Sequence, residues 1–271
     1  MKKVVGLFIS FLFLIILTGC KGDTESVEKA LTKLEGYKNY EITMRMNLAM
    51  KQDDQSANIS MKMDIKQFNE SKIMMTTSMN MGLFSISDYK TYFEKADNKY
   101  YLYTEDYTTG NFAKTEIENI EESEMLTNSE LDSMLSDLGE IKKIGTAEID
   151  GKKYTKYETI LDFDSLKNNP SFSSSLEATG GEIDEELFNK IKVYLYIDTD
   201  KDEFKRLEMD FIDYMKAYME KHADETDNTE VSKFVIYLDL NSVNSVKDFN
   251  YPEVTEQTEA DYNFDFGNYA E

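Results

Sequence analysis

One thiol and one imidazole, Cys20 and His222, are all that this 271-residue chain offers to cysteine- or histidine-based chemistry. His222 sits in Glu220-Lys221-His222-Ala223-Asp224-Glu225, a charged stretch that reads as solvated and supplies neither a nucleophile nor a metal partner. G-x-S-x-G, G-x-G-x-x-G, the P-loop and H-E-x-x-H are all missing from the sequence. With 53 Asp and Glu, carboxylate pairs arise by chance and carry no signal. Asp198-Thr199-Asp200-Lys201-Asp202 begins as a calcium loop would, with alternate acids able to converge on a hard cation. Such a loop needs Gly at its sixth position and Glu at its twelfth, where this chain has Glu203 and Met209. An acidic turn is the better reading. The chain is expected to be non-enzymatic, with no metal and no cofactor.

Cys20 remains. It follows a basic start (Lys2, Lys3) and an apolar run from Val4 to Leu17, too short for a membrane span of about 20 residues and laid out as a secretory leader. Leu17-Thr18-Gly19-Cys20 resembles the lipobox, in which a diacylglycerol is attached to the cysteine and the chain is cut just before it. An ordinary leader ending near a cysteine is the alternative, but it would leave an exported protein with one unpaired reactive thiol. Residues 1–19 are therefore expected to be a signal peptide, and Cys20 the lipidated first residue of the mature chain. The membrane, reached through that anchor on the extracytoplasmic face of the cell membrane, is its first partner. Acyl chains at about 0.8 kcal/mol per buried CH₂ hold such a protein without help from its surface.

Loss of the leader removes two lysines and no acid, leaving 28 basic residues against 53 acidic ones, a net charge of −25. That excludes nucleic acid, whose backbone demands clustered Lys and Arg. The tether, residues 20–23, extends to about 10 Å, so the domain works beside its membrane. No Pro/Gly-rich linker divides the remainder of the chain, and one domain is expected over 24–256, ending in an acidic aromatic tail, 257–271.

Apolar periodicity organises that domain. Val27, Ala30, Leu31 and Leu34 have helical spacing between Thr24 and Gly36. The period then becomes two: Tyr40, Ile42, Met44, Met46, Leu48 and Met50, a turn at Gln52-Asp53-Asp54-Gln55, then Ala57, Ile59, Met61, Met63 and Ile65, and a third run through Ile73, Met75, Thr77, Met79 and Met81. Shorter strands are predicted over Tyr89–Phe93 and Lys99–Tyr103. Thr127-Asn128-Ser129-Glu130 is a capping box opening a second helix that ends at Gly139. Asp150-Gly151, between two alternating runs, is the strongest hairpin signal. A serine-rich loop over Asn168–Gly181 leads to a short helix over Ile183–Asn189. Ile191–Ile197, Leu207–Phe211 and Val231–Leu240 read as strands, while Tyr214–Asn228 fits a helix and a strand with loop equally.

Eight to ten one-faced strands make a sheet about 40 Å across, wider than three helices can roof. The arithmetic is met by an α+β fold: a curved antiparallel sheet forming an incomplete barrel, with a few short helices over its concave face. The lipobox, the helix running into Gly36-Tyr37-Lys38-Asn39-Tyr40-Glu41-Ile42, the Met-rich strands, the hairpin Gly145 to Tyr154 and the closing Asn250-Tyr251-Pro252-Glu253-Val254 resemble the LolA-like lipoproteins of Gram-positive bacteria. These are related in fold to the LolA/LolB and LppX/LprG lipid-binding lipoproteins. The resemblance spans residues 1 to about 256 and rests on element order more than on any single motif. It implies a half-barrel whose hydrophobic cavity holds acyl chains, with no invariant ligand residues to carry over.

Methionine, unbranched and polarizable, builds a wall that reshapes around varied apolar guests, although it also fills irregular cores. The candidate cavity lining is Ile42, Met44, Met46, Met61, Met63, Met79 and Met81, with the early helix as a movable lid. The function expected is capture of a lipid or lipidated partner. The alternative is a filled-core module that recognises a protein or the cell wall through its acidic surface or tail.

Overall fold

A computed structural model describes residues 25–53, 55–82, 84–97, 99–117, 140–160, 185–222 and 229–257. The expected leader, Cys20, the expected tether, the helix expected from Thr127 to Gly139, the serine-rich stretch and residues 258–271 lie outside the described residues.

Alternation produces the strands. β1 (Tyr40–Gln52) and β2 (Gln55–Asn69) pair residue for residue from Tyr40↔Gln67 to Gln52↔Gln55, turning at Asp53, whose φ of 53° lies in the left-handed region. β3 (Lys72–Asn80), β4 (Ser85–Ala96), β5 (Lys99–Glu105) and β6 (Phe112–Ile117) extend this meander. β7 (Lys142–Ile149) and β8 (Lys152–Ile160) form the expected hairpin on Asp150 (φ 50°) and Gly151 (φ 76°), the two positive φ values a type I′ turn requires. β9 (Lys192–Asp198), β10 (Glu203–Asp210) and β11 (Thr229–Val243) come next, with the acidic turn between β9 and β10 closing on Asp202 at φ 49°.

The twelve strands run in the order β12-β6-β5-β4-β3-β2-β1-β11-β10-β9-β8-β7. Two meanders thus meet at the long antiparallel seam of β1 and β11. β12 (Val254–Gln257) adds to β6 in parallel, the one parallel pairing among the described strands. Among the described strands β7 and β12 are the edges of one sheet, an incomplete barrel as expected.

Among the described residues three helices accompany it: α1 (Glu25–Glu35), α2 (Glu185–Phe188) and α3 (Ile212–His222). α3 makes the part of the ambiguous segment up to His222 helical, and residues 223–228 lie outside the described residues. The Asp210 carboxylate accepts the Ile212 N–H at 2.9 Å, and Phe211 fixes the entry by stacking on Phe234 at 4.9 Å. β6 and β12 were not legible in the sequence, and β4 is longer than the Tyr89–Phe93 expected. In β4 a bulge at Asp88 (φ 54°) breaks the alternation between Ile86 and Tyr89.

Directly opposed residues share a face, so pairing separates the sheet's two surfaces. One outer row reads Lys156–Tyr196–Arg206–Asp239–Thr43–Asp64–Thr76–Lys90 across eight strands. At its centre Asp239, almost fully buried, accepts from Arg206 Nε at 2.5 Å and from the Arg45 guanidinium. Arg206 also lies 5.1 Å from the Tyr237 ring centroid. After β11 the chain crosses the outer surface as a strap. Asn39 Nδ2 donates to the Val246 carbonyl at 2.9 Å, Lys72 pairs with Asp248 at 2.6 Å, and Tyr251 stacks on Tyr103 at 5.0 Å before β12 joins the edge.

Beneath the strap, burial alone would push the Glu94 carboxyl up, but hydrogen bonds from Lys114 Nζ (2.8 Å) and Tyr103 Oη (2.5 Å) hold it below the ordinary 4.5. Stability from a depressed carboxyl is full above its unfolded value and is lost as pH falls through the folded one. The urea midpoint should therefore drop on acidification below pH 4.5, and Glu94→Gln should flatten that part of the profile.

Candidate functional site

The inner surface is built from the other half of each strand. Leading outward from β1, three cross-strand rows can be traced: Ile42–Ile65–Met75–Thr91–Thr104–Ala113, Met44–Met63–Thr77–Tyr89, and Met46–Met61–Met79–Ile86. In the opposite direction the second continues through Leu238, Leu207, Leu195 and Tyr157, and the third through Ile236, Met209, Val193 and Thr159. A single apolar surface spans the seam.

Its two halves differ in cover. On β9 to β11, Val193, Leu195, Met209 and Ile236 are completely buried. α1 lies against β9 and β10, and α3 against β11 and α2. On β1 to β4, Met46, Leu48, Met50, Ile59, Met75, Thr77 and Met79 are only half-buried, and β1 to β6 take no comparable contact from any described helix. Met44, Met61 and Met63, nearer the middle, are buried.

Of the residues picked from the sequence, Ile42, Met44, Met46, Met61, Met63 and Met79 share this inner surface. Met81 lies one residue past the end of β3, its N–H donating to the Phe84 carbonyl at 2.8 Å, so it belongs to the connection and not to the strand wall. Leu48, Met50, Ile59 and Met75 complete the surface and conform to the same alternation. Met74 faces outward beside Tyr92.

One expectation is corrected. α1 is not a lid over the Met wall. Val27, Ala30 and Leu31 are completely buried, and Lys33 Nζ donates to the Lys201 carbonyl at 2.5 Å, so α1 is a fixed part of the core over the opposite half of the sheet.

A separate cleft of about 160 Å³ opens where β8 to β11 end, lined by Tyr37, Lys152, Tyr154, Glu203, Lys205 and Asn241 among others. Bulges in β10 and β11 place Lys205 and Asn241 there, and Lys205 Nζ donates to the Leu240 carbonyl at 3.2 Å. Ammonium and carboxylate groups around so small a space suit water or a small polar molecule, not an acyl chain. Among the described residues no cluster of three or more His, Cys, Asp or Glu is placed to hold a metal, and no helix is long and apolar enough to cross a membrane. His222 ends α3.

No family model matches the sequence, and no curated protein is similar to it. Solved structures similar in fold include LprF from Mycobacterium bovis, with 12% identity, 85% of this chain and 95% of that one covered, and a TM-score of 0.44. Lipoprotein LppX from Mycobacterium tuberculosis has 12% identity, coverage of 83% and 96%, and a TM-score of 0.42. A LolA superfamily protein from Nitrosomonas europaea has 9% identity, coverage of 85% and 96%, and a TM-score of 0.27.

Proposed function

We propose that this chain is an exported, non-enzymatic lipoprotein, anchored through Cys20, that takes up a lipid or an acyl chain on the inner surface of its half-barrel. The observation that supports this most directly is the change in burial along one continuous apolar surface, complete on β9 to β11 and partial over the Met-rich strands β1 to β3. Half-buried methionines leave apolar area that a guest can remove from water at about 25 cal/mol per Å², and their flexible thioethers can adapt to guests of different shape. No bond is made or broken, and specificity comes from shape and solvation.

Native mass spectrometry of the domain without its leader and Cys20, purified under non-denaturing conditions, tests the reading. A co-purifying lipid, or a rise in Tm of several degrees with added long-chain acyl ligands, is the expected result. Absence of bound lipid together with an unmoved Tm would overturn it and favour the filled-core module. In that case deleting residues 257–271 should abolish recovery of a crosslinked partner.

A further inference from the structure

The proposed site carries a second pattern, in its charge. None of the paired positions facing inward on β1 to β6 is Asp, Glu or Arg, in a chain with 53 acids and with charged residues on the outer rows of the same strands. Among those paired positions the one inward cation is Lys95, near the end of β4, and its ammonium sits 5.1 Å from the Tyr100 ring centroid. Beyond the Met wall, threonine hydroxyls stand among the apolar and aromatic inward side chains: Thr77 and Thr91 are half-buried, and Thr91 opposes Thr104.

We propose that this site selects lipids whose head group is uncharged, taking neutral diacylglycerol-type lipids in preference to anionic lipids with the same acyl chains. The inference rests on the reading under Proposed function and adds the ligand class. A phosphate or carboxylate drawn onto this surface would leave water without a guanidinium or a convergent pair of lysines among the described inward residues to replace its hydration, and an unpaired buried charge is strongly disfavoured. It would also approach a mature chain of net charge −25, a repulsion that salt reduces beyond about 8 Å. An uncharged head meets neither obstacle, and the Thr77 and Thr91 hydroxyls can both donate to and accept from its ester or hydroxyl oxygens.

The test uses the domain without its leader and Cys20. It is mixed with phosphatidylcholine vesicles carrying equal amounts of dioleoylglycerol and dioleoylphosphatidylglycerol, separated from them, and assayed for bound lipid by mass spectrometry. At least tenfold more diacylglycerol than phosphatidylglycerol is expected, with the preference retained in 1 M salt because the uncharged wall is its main source. Thr91→Lys, which places an ammonium on the half-buried surface, should raise the ratio of phosphatidylglycerol to diacylglycerol bound at least severalfold, and an unmoved ratio would count against the charge selection. Equal uptake of both lipids, or a preference for the anionic one, would overturn the charge selection and leave the acyl-binding reading standing. Failure to retain either lipid would overturn both. A Thr91→Lys protein that unfolds is replaced by Thr77→Lys, with the same outcomes.

Discussion

Asp239→Ala should destabilise the domain by about 3 kcal/mol, read as a fall in the urea midpoint at pH 7, because it leaves two guanidiniums facing each other without their shared carboxylate. Asp239 is 4% exposed and accepts from Arg206 and Arg45, which are 17% and 43% exposed. Arg206 cannot regain full hydration, since it is held against Tyr237, whereas Arg45 can turn outward, which keeps the cost at the lower end for a broken buried pair. Asp239→Asn, which keeps the shape and one acceptor oxygen, should recover part of the loss. The cluster bridges β10, β11 and β1, so its failure opens the seam between the two meanders. A near-neutral Asp239→Ala would show that the seam is carried by its apolar side alone.

The second large effect is a contrast between two leucines on the same inner surface. Leu195→Ala on β9, at a completely buried position under α1, should cost about 3 kcal/mol from lost transfer energy and the cavity left behind. Leu48→Ala on β1, at a half-buried position, should cost about 1 kcal/mol, since its surroundings can be reached by water. The ligand response should run the other way. The rise in Tm with an acyl ligand should shrink in Leu48→Ala and persist in Leu195→Ala. Equal losses of stability with equal ligand responses would show that the Met-rich half is as closed as the other.

Much of this architecture was legible because the alternation is clean. Tyr40 to Met50 and Ala57 to Ile65 keep period two for long stretches, which fixes both strand and face, and Asp150-Gly151 sets a hairpin by local backbone preference alone. Four elements were harder for physical reasons. β4 carries a bulge at Asp88 that puts Ile86 and Tyr89 on one face although they are three apart. β6, Phe112–Ile117, is six residues with charged and small side chains, and β12 is four residues held by parallel pairing at an edge. α3 shows only a weak stripe, and its helix is settled by the Asp210 cap and by packing on β11. The Met residues of the candidate site were evident from alternation, apart from Met81, which the end of β3 at Asn80 leaves beyond the wall. Which half of the sheet α1 covers could not be read, because an amphipathic stripe says that a face is buried and not against what.

The seam has a consequence for how the molecule is made. β1 is joined to β2 by a two-residue turn, but its other neighbour, β11, arrives roughly two hundred residues later, and the strap and β12 later still. Until then the methionine strands are an open ribbon with an unsatisfied edge and a greasy side. The half-barrel cannot finish folding before β11 has been made, so the interval between emergence of β1 and arrival of β11 is when this protein is most exposed to aggregation or to capture by a chaperone.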